Sequence, residues 1–413
     1  MTSFFQLLDP PTAALPISDP RPPHGVANRS RLDASADASG KHGDAVLKNR
    51  KLKPPKGELH LSPTRGYGRL GPLQVERSMS ALEPTEVYDS YWQFAAERHR
   101  MYLRRLFPSG GALTNDPILR AHRFTNTYRV ADRVSQYLVK EVQYRDDRSQ
   151  APAEIFFRTL LFKIFNKVDT WELLEEQLGP VSWQSVDLSA VERTLDEAMA
   201  TGRRIYSAAY IMPAPRLGHI RKHANHLALL DRMMREGLAQ QVARAGSLEE
   251  VYRLLKPWPG LGPFLAFQYA VDLNYSNMLD FDEGDFVVAG PGAVDGIAKV
   301  FSNTRGTSPE DVIHRMVEVQ DVEFERLGIS FPGLFGRRLQ PIDCQNLFCE
   351  IGKYARVAHP HVAGTSGRTR IKQTYSGGGM LPPPFFPKRW RLEVPDCGAE
   401  TASTRAPAQA SLF

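Results

Sequence analysis

The residues of this 413-residue chain best suited to chemistry are the run Lys256, Pro257, Trp258, Pro259, Gly260, Leu261, Gly262 and Pro263, followed by the carboxylates Asp280, Asp282, Glu283 and Asp285. A helix that stops at a proline, turns through P-G-L-G and restarts forms a tight hairpin. The second helix then begins with bare backbone N–H groups, and these, backed by the helix dipole, seat an anion such as a phosphate. An acid further along the chain then lies beside whatever that phosphate belongs to. A partly buried carboxylate in that place stabilises an oxocarbenium-like transition state, or orients a nucleophile by accepting its proton. The pairing points to chemistry on a nucleic-acid base. The plainer alternative is an αα-turn with glycine at positive φ, followed by a polar loop that caps the helix near residues 293–301.

Other groups carry a similar pair of readings. Asp343, Asn346, Glu350 and Lys353 or Tyr354 recur at three- or four-residue spacing, a polar stripe beside Leu347 and Ile351. That stripe faces either a site or solvent. Asn126, Arg129 and Arg133 lie on one side of an expected helix, where arginine forks suit phosphate or carboxylate. Trp258 either stacks on a base or sugar or packs against the core. His219, His223 and His226 share a helical face, but Arg221, Lys222 and the lack of a nearby acid argue against a metal site, and none is assigned. Cys344 and Cys349 differ by five residues, fall on different faces and read as packing residues.

The elements that must position these groups are helices. Aromatic and leucine positions at helical spacing predict one helix over residues 86–107 and another over 124–144. Pro152 opens a strongly apolar run to Asn166. Asp169 with Glu172, Ser189 with Glu192, and Ser247 with Glu250 read as helix starts, as does Ser308-Pro309-Glu310. The last strong helix runs over residues 341–357. Strand signals are scarce, so the expected fold is an all-α domain of ten to twelve helices over residues 83–360. Residues 1–82 form a Pro/Ser-rich tail and residues 361–413 a basic one, both expected to be flexible.

Composition is that of a globular protein, 42% hydrophobic and 24% charged. The net charge of +6 is unevenly placed: residues 1–80 carry +5 and residues 360–413 carry +4, leaving the middle at −3. Net charge therefore says little about whether the folded part binds nucleic acid. No apolar run is long enough for a membrane span, no secretory signal is seen, and three cysteines fit a reducing compartment. A basic run at residues 48–56 reads as a nuclear-import signal, a polyanion tether or solvated linker, so a nuclear or cytoplasmic, non-secreted location is expected.

Four segments together resemble a known family: FFRTLLFKIFN (156–166), WPGLGPFLAFQYAVDL (258–273), DEGDFVVAGPGA (282–293) and IDCQNLFCEIGKYAR (342–356). They look like the helical domain of hydroxymethyluracil DNA kinases. The same domain occurs in thymine-hypermodifying enzymes, the glutamyl/putrescinyl thymine pyrophosphorylases regarded as amino-acid:DNA transferases. The resemblance covers residues 85–360. It implies a remote likeness to helix-hairpin-helix DNA glycosylases, with the phosphate hairpin at Pro259, Gly260, Leu261 and Gly262. The glycosylase acid then falls on Asp282, with Asp285 as the competing position. Two departures matter. The chain has no G-x-x-x-x-G-K-[ST], so it is not that kinase by itself. The stretch Pro263-Phe264-Leu265-Ala266 also lacks the lysine that a lyase-type glycosylase uses for a Schiff base.

The resulting expectation is a helix-hairpin-helix glycosylase-like domain that clamps a DNA phosphate, flips a base and acts in base hypermodification or modified-base recognition. Its catalytic residues would be Asp282, Asp285, Asn346 and Glu350. Its DNA-binding residues would be Trp258, the 259–262 turn, Asn126, Arg129 and Arg133. The partner is DNA carrying a modified thymine or uracil, with a separate kinase upstream as an option. No cofactor is identified, no membrane is involved, and the chain is read as a monomer. The rivals are a monofunctional DNA glycosylase and a non-catalytic DNA-binding module.

Overall fold

The computed structural model describes residues 79–397 apart from 109, 209–211 and 378. The stretch before residue 79, with its basic run at 48–56, and the chain after 397 lie outside the described residues. The described part is mostly helical, as expected. Its one sheet is a minimal antiparallel pairing of β1 (Glu83–Pro84) with β2 (Phe301–Asn303).

The first half contains α1 (Val87–Leu106), α2 (Pro117–Ala121), α3 (Arg133–Tyr137), α4 (Pro152–Phe165), α5 (Val168–Leu178) and α6 (Leu188–Ala200). The second half contains α7 (Lys222–Arg235), α8 (Leu238–Ala243), α9 (Leu248–Leu255), α10 (Pro263–Asn274), α11 (Pro291–Val300), α12 (Pro309–Arg326) and α13 (Pro341–Ala358). Proline opens six of them, where its missing N–H costs nothing. Ser247 caps α9 by accepting the Glu250 N–H, and Glu250 reaches back to the Gly246 N–H. Ser308 caps α12 through the Asp311 N–H. No helix among the described residues is long and apolar enough to cross a membrane.

Several local expectations need correction. The helix expected over residues 124–144 is broken into a loop, a 3₁₀ turn at Arg129–Ala131, the short α3 and a π-helical turn at Leu138–Gln143. The cause is local: Asp132 Oδ1 accepts the Asn126 N–H at 2.7 Å, and the Asn126 amide donates to the Ala131 carbonyl at 2.6 Å. These bonds satisfy the backbone in a non-helical form. The cap of α6 is Asp187, which accepts the Ser189 N–H, rather than Ser189 itself. Asp169 lies inside the first turn of α5, where it complements the dipole without capping.

The segment after residue 361, expected to be flexible, docks on the helices as far as it is described. Phe386 is buried, Gln136 exchanges two hydrogen bonds with the Phe385 backbone, and Trp390 meets Tyr275 edge-on at 5.7 Å. Those aromatic side chains give the segment something to bury, which the surrounding Gly and Pro residues obscure.

Two sets of helices meet in the middle of the fold. In one, α4, buried almost all round, packs on α7, α8 and α10. In the other, α13 packs on α1, α11 and α12. The closest crossing is α11 on α13, where Gly296 lies against the α13 backbone. A Cβ at Gly296 would stand 1.9 Å from the Phe348 carbonyl oxygen, so any side chain there forces the helices apart. Overpacking of this kind costs about 1–3 kcal/mol or more, and urea denaturation of Gly296→Ala is expected to show at least that loss.

Candidate nucleic-acid interface and buried charged centre

The chain leaves α9 at Lys256 and enters α10 at Pro263 through the P-G-L-G turn. Gly260 sits at φ +83°, and a Cβ on it would come within 3.1 Å of the Pro213 carbonyl oxygen, which explains the glycine twice over. Leu261 is buried and anchors the turn, while its N–H closes onto the Trp258 carbonyl at 3.0 Å. Gly262 is the exposed N-cap of α10, and no side chain caps that helix. Gly262 and Pro263 are exposed, Phe264 is half-buried and Leu265 is buried, so the helix opens at the surface only over its first residues. The Arg232 guanidinium, paired with Glu236 at 2.6 Å, lies 5.8 Å from the half-buried Trp258 ring, and the Lys256 ammonium lies 5.6 Å from the Tyr252 ring.

The acids follow α10 in a loop that runs back beside it. Phe286 packs on Tyr252 of α9 at 5.2 Å and on Phe267 of α10 at 5.8 Å. Gly290 lies against the Phe264 ring, where a Cβ would come within 2.6 Å. The loop thus passes the hairpin end of α10. Asp285, next to Phe286, is exposed, and Asp282 is half-buried with Oδ1 accepting the Gly284 N–H at 2.7 Å. The acid that turns inward is their neighbour Glu283, 5% exposed and 3.3 Å from Arg337. Burial pushes the Glu283 carboxyl above its ordinary range, with Arg337 opposing.

Beneath the loop lies a charged centre that joins both sets of helices. Asp272, in the last turn of α10, is fully buried; its Oδ1 is 2.7 Å from an Arg129 guanidinium nitrogen and its Oδ2 is 3.1 Å from Lys163 of α4. Burial drives that carboxyl up, but Arg129 and Lys163 together hold it below its ordinary range. Arg129 Nε donates to Gln268, and its guanidinium lies 5.6 Å from the Tyr275 ring centre. The Arg129 backbone N–H donates to Asp343 Oδ1 on α13 at 2.9 Å. Burial pushes the Asp343 carboxyl up to about 7, with Glu283 adding to the rise. Gln143, delivered by the π-helical turn, donates to the Asp272 carbonyl at 2.8 Å.

Arg129, expected to face DNA, is thus 3% exposed and directed at a carboxylate. Arg133 is exposed at the start of α3, and the Asn126 side chain is engaged within its own loop. Glu350 is buried, accepting the Thr125 N–H at 3.1 Å and pairing with Lys353 at 2.6 Å. Asn346 is half-buried on the same helix. The three histidines diverge: His219 is exposed, His223 pairs with Asp196 at 3.0 Å, and His226 bridges the Tyr206 hydroxyl and the Pro213 carbonyl. Sequence reasoning missed Lys163, Asp272, Gln268 and Arg337. Lys163 and Asp272 had a usable signal, since each is a lone charge inside a strongly apolar run.

The family model described as 5-hmdU DNA kinase, helical domain, matches residues 85–364. The chain belongs to that family. The 5-hmdU DNA kinase of Bacillus phage SP10 is 23% identical over 286 residues, which cover 65% of this chain and 45% of the relative. The chain therefore spans less than half the length of that kinase. No solved structure matches it. The hairpin, the acid loop and every residue of the charged centre named above fall inside the stretch that places the chain in the family.

Two outcomes follow from the charged centre. Removing one partner of a buried pair leaves an uncompensated charge, so Asp272→Ala is expected to cost about 3–5 kcal/mol in chemical denaturation. Asp343 has a folded-state pKa raised above its unfolded one, so its contribution is present at low pH and is lost as pH rises to about 7. Stability measured from pH 4 to 7 is expected to fall less steeply in Asp343→Asn than in the parent protein.

Proposed function

We propose that this chain binds DNA through the 259–262 hairpin and handles a base beside the gripped phosphate, the preferred base being a modified thymine or uracil. The observation that carries the reading is the exposed start of α10 at Gly262, which no side chain caps, after a turn that begins at Lys256. Family membership supports the choice of polymer, since the phage relative is named for a kinase acting on 5-hmdU in DNA. In this reading the phosphate sits at the exposed start of α10 and the base leaves the stack towards the loop of Asp282 and Asp285. Extrusion costs a few kcal/mol, which contacts to the base must offset. Asp285 is the more exposed of the two acids, while Asp282, which accepts the Gly284 N–H, orients the loop. Glu350 supports the neighbouring 122–132 segment from α13 by accepting the Thr125 N–H, with Asn346 half-buried on the same helix. The reaction proposed for this domain is group transfer onto a base or recognition of one. The helix-hairpin-helix glycosylase-like architecture is part of the same proposal and rests on the hairpin.

A non-catalytic DNA-binding module is the second reading, favoured by the exposure of Asp285. Incubation with hydroxymethyluracil-containing DNA followed by nucleoside mass analysis separates the two. A changed nucleoside supports catalysis, released free base supports a glycosylase, and unchanged DNA under every cosubstrate supports the module.

The seat itself is tested by Gly262→Asp. The backbone there has φ −61° and an added Cβ meets nothing within 4 Å, so the new carboxylate can cap α10 from its own N-cap. Stability is expected to hold or rise by a few tenths of a kcal/mol. DNA affinity is expected to fall about tenfold, with the salt dependence reduced by about one phosphate contact. Unchanged affinity in a binding titration overturns the phosphate seat.

A further inference from the structure

Away from the hairpin and the charged centre, one cluster among the described residues has the donor set of a metal ion. Glu192 and Asp196 stand one turn apart on the same face of α6. His223 enters from the first turn of α7. One oxygen from each carboxylate and one ring nitrogen of His223 all lie within 4.8 Å of one another. The histidines of this stretch lacked an acid as neighbours in the sequence. The fold supplies two from the preceding helix.

The buried polar atoms of this cluster are short of hydrogen bonds. His223 is 1% exposed, and its Nε2 has no hydrogen-bond partner although it faces Asp196 Oδ1 at 3.0 Å. That carboxylate oxygen is itself buried without a hydrogen bond, and Arg221 Nε stands 2.9 Å from it. An imidazole nitrogen and a carboxylate oxygen this close, with no proton aligned between them, match two ligands of one cation better than a hydrogen-bonded pair. Ligand atoms at zinc distances in a tetrahedral site are roughly 3.3 Å apart, close to that spacing. Glu192 is half-buried and pairs with no cation among the described residues. Arg221 is the competitor for the site: its side chain is 54% exposed and can swing into water when an ion takes its place. Of the other neighbouring cations, Lys222 lies over the Tyr206 ring and Arg193 pairs with Asp187.

We propose that Glu192, Asp196 and His223 bind a divalent ion of the zinc class and so clip α6 to α7. An imidazole ligand disfavours Mg²⁺ and Ca²⁺, which take oxygen donors, and the set contains no thiolate for the softer ions. Three protein ligands leave one position of a tetrahedral ion for water. Two carboxylates against one arginine leave the cluster net negative, and the ion neutralises that charge. The clip also joins the two ends of the 201–221 connection, and closing a loop of that length restricts the unfolded chain. The proposal is independent of the DNA reading and is tested without DNA.

The test strips the full chain with a chelator and titrates it with Zn²⁺, and with Co²⁺ for its visible absorption. The parent protein is expected to take up Zn²⁺ and to melt a few degrees higher with it. Glu192→Gln, at a half-buried position with no ion pair to lose, is expected to fold as the parent does without metal. Its Zn²⁺ affinity is expected to drop at least about tenfold, and most of the melting shift with it. His223→Gln is expected to lose one equivalent of Zn²⁺ and the Co²⁺ band that goes with it. Arg221→Ala, which removes the competing cation, is expected to bind more tightly, while His219→Ala, exposed and outside the cluster, binds as the parent does. A parent protein that takes up no Zn²⁺ overturns the proposal and leaves Asp196 as an ion-pair partner for Arg221 only. Uptake that Glu192→Gln and His223→Gln leave unchanged overturns it too, as does weaker binding by Arg221→Ala.

Discussion

A carboxylate stripped of water must be given cations, and Asp272 receives two from different parts of the chain. Arg129 comes from the irregular segment before α3, and Lys163 comes from α4. A buried pair is weak evidence of net stability, because desolvation offsets most of the attraction. Its directional demand is another matter. Only one placement of α4, α10 and the 122–132 segment lets both cations reach the same carboxylate. Because the Arg129 N–H also donates to Asp343, that placement fixes α13, and with it α1, α11 and α12. The two helical sets are registered through one arginine.

The consequence reaches the surface through α10. Gly262 and Asp272 are the two ends of one helix, about 15 Å apart at the usual rise per residue. Locking the inner end sets the direction of the outer end, so the charge pair at Asp272 also orients the exposed start of α10 at Gly262. The docked segment after residue 361 completes the arrangement. Arg389 donates to the carbonyls of Asn274, Ser276 and Leu279 at the C-terminal end of α10 and pairs with Asp280 at 3.1 Å. A cation is favourable at that end of a helix dipole. Trp390 meanwhile lies over Arg337 at 3.9 Å, covering the guanidinium that neutralises Glu283. The acid loop is thus tied down at its far end by Arg389 and near the hairpin by Phe286.

What was legible in the sequence was whatever depended on near neighbours. Ser247, Ser308 and Pro152 start helices because a cap or an N1 proline acts within a turn. The glycine hairpin was legible for the same reason. Residues 124–144 misled because apolar spacing spoke for a helix while Asp132 and Asn126 offered the backbone local bonds that spacing does not register. The polar stripe on α13 showed the right period, but period does not tell a solvent face from a buried polar one: Asp343 and Glu350 are inside and Asn346 half inside. Arg129 was noticed as a fork for phosphate or carboxylate, and which of the two it serves depends on Asp272, more than a hundred residues away. Long-range pairing of this sort leaves one local trace, a single charge in an apolar run. Lys163 and Asp272 carried that trace.

Global charge was an equally poor guide, and the structure shows why. The middle of the chain is net negative, yet much of that negative charge is engaged: Asp272 with two cations, Glu283 with Arg337, Glu350 with Lys353 and Asp280 with Arg389. Acid engaged in this way projects little field into solvent. The span between Glu197 and Asp231 contains no acid, and Arg203, Arg204, Arg216 and Lys222 within it are exposed, while Arg221 pairs with Asp196. A polyanion responds to potential at the surface it approaches, within roughly a Debye length of about 10 Å, and not to a sum over the whole chain. The net charge of the middle of the chain therefore does not describe the charge that any one of its surfaces presents.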